Sequence, residues 1–242
     1  MNRLICNGSN SLGNNYIIQS NNEILLIECG ISFKDVMLNI DNMEDICGCV
    51  VSHTHLDHAE YIKQYQKYGI YVYSCQDVCD KYKDVKLLPL QTKTKIGNFN
   101  VQPIKVNHNV ECYSFIITHP DIGKILFCTD LNSFPYIDKI KGLNHIFIEA
   151  NYSDEILLDK AFEVNEWSKS QSKNHLSIGQ TIEKLQRADI SQLQTIVLLH
   201  LSNGNSDAKL FRQMVKDAIG FDNVVVADKG INIELNKEDF QL

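Results

Sequence analysis

Short apolar runs alternate with amphipathic stretches along the whole chain. Near the amino end, three strands are predicted at residues 3–6, 16–19 and 24–28, separated by turn-rich segments. They form an antiparallel meander in this prediction. From Phe33 onward, apolar residues recur every three or four positions, which predicts a helix with Ser32 as its N-cap.

The rest of the chain repeats this alternation. Further strands are predicted at residues 48–52, 71–74, 99–104, 113–118, 124–128, 145–150 and 195–200. Helices are predicted at residues 59–69, 76–81, 135–141, 177–188 and 206–219, with another beginning at residue 153. No short repeat and no linker rich in Pro, Gly or Ser interrupts this order. We therefore expect one domain over residues 1–242, built as two sheets with helices on their outer faces.

Composition and charge exclude several classes of protein. The 242 residues are 44% apolar and 22% charged, which excludes a disordered chain. The longest apolar runs are far shorter than the roughly 20 residues of a membrane span, so we expect no membrane association. No signal-peptide pattern is present, and the eight cysteines form no CxxC pair, so we expect reduced thiols and a cytoplasmic location. The net charge of -7 argues against coating nucleic acid through bulk electrostatics but allows a local site.

The most informative motif is HTHLDH, which has the pattern HxHxDH between a predicted strand and a predicted helix. On a loop, its three imidazoles and its carboxylate can converge. Zinc prefers this ligand set, and manganese or iron also accepts it. The alternative is a cluster of surface histidines. The candidate ligands of the motif are His53, His55, Asp57 and His58.

Three later polar residues directly follow predicted strands. They are His108 after PIKV, Asp130 after ILFCT and His200 after TIVLL. Taken singly, each is better explained as a hydrogen-bonded residue at a strand end. Their shared position after apolar strands that would lie in one core favours the interpretation that all three are metal ligands.

Together these motifs resemble those of the metallo-β-lactamase superfamily, in order and spacing over nearly the whole chain. More narrowly, a set of segments resembles the YycJ-like (WalJ-like) branch, which is related to ribonuclease Z and ribonuclease J. These segments are GSNSLGNNYII, LLIECGIS, VSHTHLDH, FCTDL, IEANY, NHLS and LLHLSNGNSD. The resemblance implies an α/β fold, an αββα sandwich of two mixed β-sheets flanked by helices.

The resemblance also implies a site for two divalent metal ions, zinc or manganese, that share a hydroxide. The first ion would be held by His53, His55 and His108, the second by Asp57, His58 and His200, with Asp130 bridging both. Asp57 would also orient or deprotonate the attacking nucleophile.

His175 would stand near the scissile phosphate, where it could donate a proton to the leaving oxygen or hydrogen-bond the phosphate. Asn174, Ser177 and the start of the following helix would offer further donors to a phosphate oxygen. The alternative for His175 is a surface residue that caps this helix. His119 and His145 match no motif, and we expect them at the surface or in turns.

The resemblance favours a phosphodiesterase that cleaves nucleic acid, DNA rather than RNA. Two alternatives remain open. One is a small-molecule hydrolase that acts on a cyclic nucleotide, thioester or lactone, since one fold supports many reactions. The other is a regulatory protein that holds metal without turnover. A ring of basic side chains around the site would favour a polymeric substrate, and the candidates are Lys63, Lys67, Lys169, Lys173, Lys184 and Arg187.

Overall fold

A computed structural model describes residues 1–159 and 174–237, and two seven-stranded sheets lie within these ranges. The strands of the first sheet are β1 (Asn2–Asn10), β2 (Gly13–Ser20), β3 (Glu23–Ile27), β4 (Ile46–Val50), β5 (Val72–Ser74), β6 (Lys86–Leu87) and β14 (Asn232–Glu234). Their order is β14-β1-β2-β3-β4-β5-β6. The β1-β2-β3 meander is antiparallel, which confirms the prediction, and β3 to β6 are parallel.

The second sheet is also mixed. Its strands are β7 (Thr94–Ile96), β8 (Phe99–Val106), β9 (Cys112–His119), β10 (Gly123–Cys128), β11 (His145–Glu149), β12 (Thr195–Leu199) and β13 (Val224–Val226). Their order is β13-β12-β11-β10-β9-β8-β7. Strands β10 to β13 are parallel, whereas β9 runs antiparallel to both of its neighbours, β8 and β10. Strand β8 therefore points in the same direction as β10.

Seven α-helices are described in these ranges. They are α1 (Phe33–Val36), α2 (Leu56–Ala59), α3 (Ile62–Lys67), α4 (Gln76–Lys81), α5 (Asp154–Asp159), α6 (Ile178–Arg187) and α7 (Ala208–Ile219). Three single turns of 3-10 helix lie at Met37–Asn39, Met43–Asp45 and Ile137–Lys139. The side chain of Ser32 caps α1 as predicted.

Two helix predictions need correction. The helix predicted over residues 59–69 is divided into α2 and α3, because the amide of Tyr61 donates to the carbonyl of Cys29 instead of to its own helix. The helix predicted over residues 135–141 is only a 3-10 turn, which ends in the extended residue Ile140. In the first case a hydrogen bond to a distant segment interrupts the helix, and in the second a local turn replaces it.

Strands β11 and β12 are buried on both faces because they lie in a central layer. Phe147 and Val197 belong to the core that includes the residues of the first sheet. The alternate residues Ile146 and Leu198 pack in a second core with α6 and α7. Parallel strands covered on both sides are expected to be continuously apolar, as these are. The predicted αββα sandwich of two mixed sheets is confirmed.

The cysteines of the described chain contain no disulfide. All eight are free, and six of them are buried, consistent with small apolar side chains. Among the residues that the structure describes, no helix has both the length and the apolar character that crossing a membrane requires.

Candidate metal centre

The seven predicted ligands converge at one edge of the sandwich. His53 follows β4, His108 follows β8, Asp130 follows β10 and His200 follows β12. The three strands from the second sheet point the same way, so their carboxyl ends share an edge. Helix α2 brings Asp57 to the same place. The structure thus places together the residues that were predicted to act together.

The first cluster contains His53, His55 and His108, whose ring centroids lie 4.5 to 5.0 Å apart. His55 Nδ1 and His108 Nε2 are 3.4 Å apart. His108 Nδ1 lies 3.1 Å from the carbonyl oxygen of Asn174 and donates to it. This donation leaves Nε2 of His108 with a lone pair that faces the cluster.

His53 tests whether the first cluster suits a metal ion. Its ring is fully buried, and Nδ1 lies 2.8 Å from Ser52 Oγ. Among the residues that the structure describes, the other nitrogen, Nε2, has no hydrogen-bond partner. A buried polar atom left unpaired costs about 1–3 kcal/mol, so such atoms are normally satisfied by something. Nitrogens of all three histidines of this cluster lie within 4.8 Å of one another, a donor set that fits a zinc-like ion.

The second cluster contains Asp57, His58 and His200. Asp57 Oδ2 lies 3.3 Å from His58 Nε2 and 3.3 Å from His200 Nε2. Two nitrogens and one carboxylate oxygen thus surround a common point, again a suitable donor set for a divalent transition metal.

Asp130 lies between the two clusters. Its Oδ2 is 2.9 Å from His58 Nε2 and accepts a hydrogen bond of 2.8 Å from Thr129 Oγ1. Its carboxylate is grouped within 4.8 Å with His53 from the first cluster and His58 from the second. This position suits a carboxylate that bridges two ions.

A buried carboxylate that was not predicted supports the second cluster. Glu28 is fully buried, and its Oε1 lies 3.4 Å from His58 Nδ1. Its Oε2 accepts a bond of 3.2 Å from the amide of Ser52. A carboxylate behind a ligand histidine fixes the ring orientation. Glu28 directly follows the apolar run ILLI, so the strand-end criterion that selected Asp130 would also have found it.

Three strand ends of the centre have left-handed backbone. The φ angles are 67° at Glu28, 51° at Asp130 and 54° at His200. Such angles are uncommon outside glycine and cost of the order of 1–3 kcal/mol each. The chain turns sharply at each of these residues, where a strand ends at the centre.

The backbone of Gly30 allows three segments to meet beside this centre. A Cβ atom on Gly30 would lie only 1.7 Å from the carbonyl oxygen of Asp57 and 2.6 Å from the amide nitrogen of Asn14. The Gly30 amide donates to the carbonyl of Asn14 at 3.0 Å. Any side chain at this position would separate the β1–β2 hairpin from the HTHLDH loop.

Burial keeps the first cluster neutral. It lowers the pKa of His55 and His108 and holds the pKa of His53 well below its ordinary value, where the positive charge of His58 lowers it further. Metal ions bind neutral imidazole, so the protonation state of these three rings is already the one that a ligand needs.

Several carboxylates surround the two histidines of the second cluster. Burial would lower the pKa of His200, but Asp130, Asp57 and Glu149 raise it to about 10. Burial would likewise lower the pKa of His58, yet the carboxylates around it raise that pKa well above its ordinary value. The carboxylates thus hold protons on two histidines, and a divalent cation would displace these protons.

His175 lies beside both clusters and is held by Glu149. His175 Nδ1 is 2.6 Å from Glu149 Oε1 and 3.5 Å from Asp130 Oδ1, and its side chain is 17% exposed. Burial would lower the pKa of His175, but the Glu149 carboxylate raises it. Because Nδ1 is engaged, Nε2 is the nitrogen that remains for a substrate. His175 is therefore not a surface residue that caps a helix.

Glu149 is the second buried carboxylate of the centre that was not predicted. It is fully buried at the end of β11, and its Oε1 also lies 3.3 Å from His200 Nδ1. Its Oε2 accepts from the amides of Leu131 and Leu176 at 3.2 and 3.1 Å. One carboxylate thus orients both a predicted ligand and His175. Like Glu28, it is a charged residue at the end of an apolar strand.

The predicted phosphate donors at the start of α6 are used inside the chain. Ser177 Oγ accepts from the amide of Gln180 at 3.3 Å, and Gln180 Oε1 accepts from the amide of Ser177 at 2.9 Å. This capping box satisfies the helix terminus internally. The carbonyl of Asn174 accepts from His108. The amides of Ser177 and Gln180 at this helix start are therefore already paired within the chain.

The described basic candidates are divided between ion pairs and an exposed helix face. Lys184 lies 3.7 Å from Glu183, and Arg187 lies 3.6 Å from Asp138, so both are ion-paired. Lys63 and Lys67 are exposed on α3, while Lys169 and Lys173 lie outside the described residues. A cation that was not predicted, Lys81, donates to the carbonyl of Thr54 at 3.0 Å, next to the first cluster.

Two other histidines were expected at the surface and are buried instead. His145 is fully buried at the start of β11, and its Nε2 donates to the carbonyl of Ile122 at 3.2 Å. His119 is 7% exposed and lies 3.3 Å from Glu23. Each side chain has one local partner, and each strand position points into the packed interior.

The chain is similar to several known proteins. The family model described as anti-Pycsar protein Apyc1 matches residues 7–77. The chain is 22% identical to the exodeoxyribonuclease WalJ of Streptococcus pneumoniae serotype 2, over 96% of this chain and 91% of that protein.

Two solved structures are similar over almost the whole chain. The metallo-β-lactamase fold protein YhfI from Bacillus subtilis superposes with a TM-score of 0.75 at 16% identity, covering 96% of this chain and 99% of that one. A diphosphatase of the PhnP family gives a TM-score of 0.70 at 14% identity, covering 96% of each chain. The protein therefore has the metallo-β-lactamase fold, and the resemblance inferred from its motifs is confirmed.

Proposed function

We propose that this protein is a metal-dependent phosphodiesterase that cleaves nucleic acid, with DNA favoured over RNA. The observation that supports it is the His175–Glu149 pair beside the two ligand clusters. Ligands alone would suffice to store a metal, whereas a histidine held by a buried carboxylate is suited to proton transfer. The similarity to an exodeoxyribonuclease over 96% of the chain supports DNA as the substrate.

Seven side chains would hold two divalent ions, zinc or manganese, in this proposal. They are His53, His55 and His108 for the first ion, Asp57, His58 and His200 for the second, and Asp130 between them. Bound ions of this kind lower the pKa of water and stabilise the charge that develops on a phosphate.

Asp57 and His175 have different roles in proton transfer in this proposal. Burial would raise the pKa of Asp57, but hydrogen bonds from His200 and His58 hold it well below its ordinary value, so the carboxylate stays ionised and can orient the attacking water. His175 Nε2 donates a proton to the leaving oxygen. The Glu149 carboxylate accepts the Nδ1 hydrogen bond and stabilises the protonated form of the ring before transfer.

A small phosphodiester or diphosphate is the second candidate substrate. The observation that favours it is the surface charge, because the chain has a net charge of -7 and the described candidates Lys184 and Arg187 are ion-paired. The fold is shared with a diphosphatase, and one fold supports many reactions.

We also propose that residues 1–242 form one domain that acts in the cytoplasm. Strands near both ends of the chain pair with each other, since β14 lies beside β1 in the first sheet. The eight free cysteines suit a reducing compartment.

The test is a substrate panel with metal-free protein reloaded with Zn²⁺ or Mn²⁺. The panel contains labelled single- and double-stranded DNA, RNA and bis-p-nitrophenyl phosphate. We expect metal-dependent cleavage of DNA that a chelator abolishes. Hydrolysis of bis-p-nitrophenyl phosphate without cleavage of any polymer would support the small-molecule candidate. A fully loaded protein that hydrolyses none of these would exclude the proposed phosphodiesterase.

A further inference from the structure

The segment GSNSLGNN includes the β1–β2 turn, and the proposed mechanism leaves it without a role. It contains Asn14, a fully buried asparagine against the second cluster. Asn14 Nδ2 lies 3.1 Å from His58 Nε2 and 3.3 Å from Asp57 Oδ2. A buried amide in contact with two predicted ligand atoms affects how those atoms are held.

The orientation of the Asn14 amide is fixed by its neighbours. Three oxygens surround Nδ2, namely the carbonyl of Asn10 at 3.0 Å, the carbonyl of Asp57 at 3.2 Å and Asp57 Oδ2 at 3.3 Å. All three are acceptors, so the nitrogen end of the amide and not its oxygen must face Asp57. The oxygen end accepts from the hydroxyl of Tyr16 at 3.4 Å.

Tyr16 belongs to a buried chain of hydrogen bonds that leads to His200. The His200 amide donates to Ser9 Oγ at 2.8 Å, and Ser9 Oγ lies 2.6 Å from Tyr16 Oη. Because Tyr16 donates to Asn14, the Ser9 hydroxyl donates to Tyr16. Burial holds the pKa of the Tyr16 hydroxyl well above its ordinary value, so this donor keeps its proton. The bonds therefore run in one direction, from the His200 amide to the Asp57 carboxylate.

This chain connects ligands from opposite sides of the sandwich. Asp57 lies in α2, which follows β4 of the first sheet, and His200 follows β12 of the second. We propose that Asn14, with Tyr16 and Ser9, is a positioning residue for the second metal ion. It fixes the Asp57 carboxylate relative to His200, whereas the hydrogen bonds of the first cluster are separate from this chain.

Asparagine suits this position for a chemical reason. Its side chain accepts at one end, from Tyr16, and donates at the other, to Asp57. Aspartate has no donor when ionised and would repel the Asp57 carboxylate. The proposal rests on the proposed function only in requiring that both clusters hold ions.

The test measures ion binding and not catalysis. Metal-free full-length protein is titrated with Zn²⁺ in a calorimeter, for the wild type and for Asn14→Ala. We expect the second ion to bind about 10- to 100-fold more weakly in the variant, the usual cost of removing a side chain that orients a ligand. The affinity of the first ion stays unchanged. Tyr16→Phe, which removes one hydroxyl, should show a smaller loss confined to the same ion.

Asn7→Ala is the matched control. Asn7 is a buried asparagine of the same hairpin that bonds to Asn15 and Asn39 and to no predicted ligand. It should keep wild-type binding of both ions. If Asn14→Ala does not fold, the Zn²⁺ titration of Tyr16→Phe tests the positioning role instead.

Three results would overturn the positioning role. The first is that Asn14→Ala and Tyr16→Phe bind both ions with wild-type affinity. The second is that Asn14→Ala weakens the binding of both ions equally. The third is that Asn7→Ala weakens the second ion as much as Asn14→Ala does. A wild type that binds a single ion would also overturn it. A wild type that binds two ions but cleaves no phosphodiester would refute the proposed function and leave this inference standing.

Discussion

The two ends of strand β11 each bury a titratable residue, but in different surroundings. His145 begins the strand and Glu149 ends it, and both are fully buried. Each has a local partner, yet only Glu149 meets other titratable groups, His175 and His200. Within the described part of the chain, His145 Nδ1 has no hydrogen-bond partner, and neither has His53 Nε2 in the first cluster. A buried unpaired nitrogen is thus not sufficient for a metal site, and several ligands must converge on it.

Strand direction decides which end becomes the site. His119 ends β9, just as His108 follows β8, but β9 runs the opposite way. His119 therefore lies beside Gly123 at the start of β10, far along the strand from Asp130 at its other end. We call the sheet end that contains Asp130 the carboxyl end, and the opposite end, which contains His145, the amino end. Four predictions test whether metal binding and catalysis depend on the carboxyl end alone.

The largest effect is expected at the carboxyl end from Asp130→Ala. Two bound metal ions should fall to one or none, and hydrolysis should fall to background, because Asp130 contacts residues of both clusters. Elemental analysis of reconstituted protein measures the ions, and circular dichroism checks the fold. His145→Gln at the amino end should retain both ions. A wild type that never binds more than one ion would remove the two-ion mechanism.

The next effect concerns His175→Ala, which should retain both ions. Cleavage of DNA should slow by about 100-fold or more, the usual contribution of a positioned general acid, because a deoxyribose oxygen leaves poorly without a proton. Bis-p-nitrophenyl phosphate should be nearly unaffected, since p-nitrophenolate leaves readily without one. Equal losses on both substrates would show that His175 binds the phosphate instead of protonating the leaving oxygen.

At the amino end the expected effect is on stability. Burial lowers the pKa of His145 from 6.5 to about 4. Between these values the unfolded chain binds a proton that the folded chain does not, so the free energy of unfolding decreases as the pH falls through this window. His145 lowers the free energy of unfolding by at most about 3 kcal/mol across this window, since each pH unit contributes about 1.4 kcal/mol.

Urea unfolding at several pH values measures this decrease, and His145→Gln, which keeps a donor for the Ile122 carbonyl, should remove it. Identical pH profiles for the wild type and this variant would contradict the prediction.

The smallest effect is expected for Glu23→Gln, also at the amino end. Burial would raise the pKa of Glu23, but hydrogen bonds from Asn98 and His119 lower it. Its stabilisation is therefore present above the ordinary pKa of 4.5 and lost as the pH falls through the lower folded value. We expect Glu23→Gln to lower the free energy of unfolding at pH 7 by less than about 1 kcal/mol, a value typical of a partly exposed pair. Thermal unfolding at pH 7 and pH 3 tests this, and an equal difference between wild type and variant at both would contradict it.

Much of the fold could be predicted because the apolar strands are unusually clear. The runs TIVLL and ILFC are buried as expected, and the strand-end criterion located His108, Asp130 and His200. The HTHLDH motif supplied the rest of the predicted ligands, which the structure brings together. Glu28 and Glu149 were missed although they satisfy the same criterion, because each was interpreted as part of its strand and not as its end.

Other features could not be predicted because they depend on tertiary contacts. The burial of His119 and His145 follows from sheet order and strand direction, which a single sequence does not specify. The capping box at Ser177 uses a side chain that the phosphate hypothesis had assigned elsewhere. The bonds of Asn14 to Asp57 join residues 43 positions apart, and no local pattern indicates them.

The left-handed backbone at Glu28, Asp130 and His200 has a consequence for protein engineering. Glycine at any of these positions would relax the main chain, so selection for heat resistance alone would enrich variants that have lost the centre. Directed evolution of a more robust form should therefore hold these three codons constant and sample the amino end of the sheets instead.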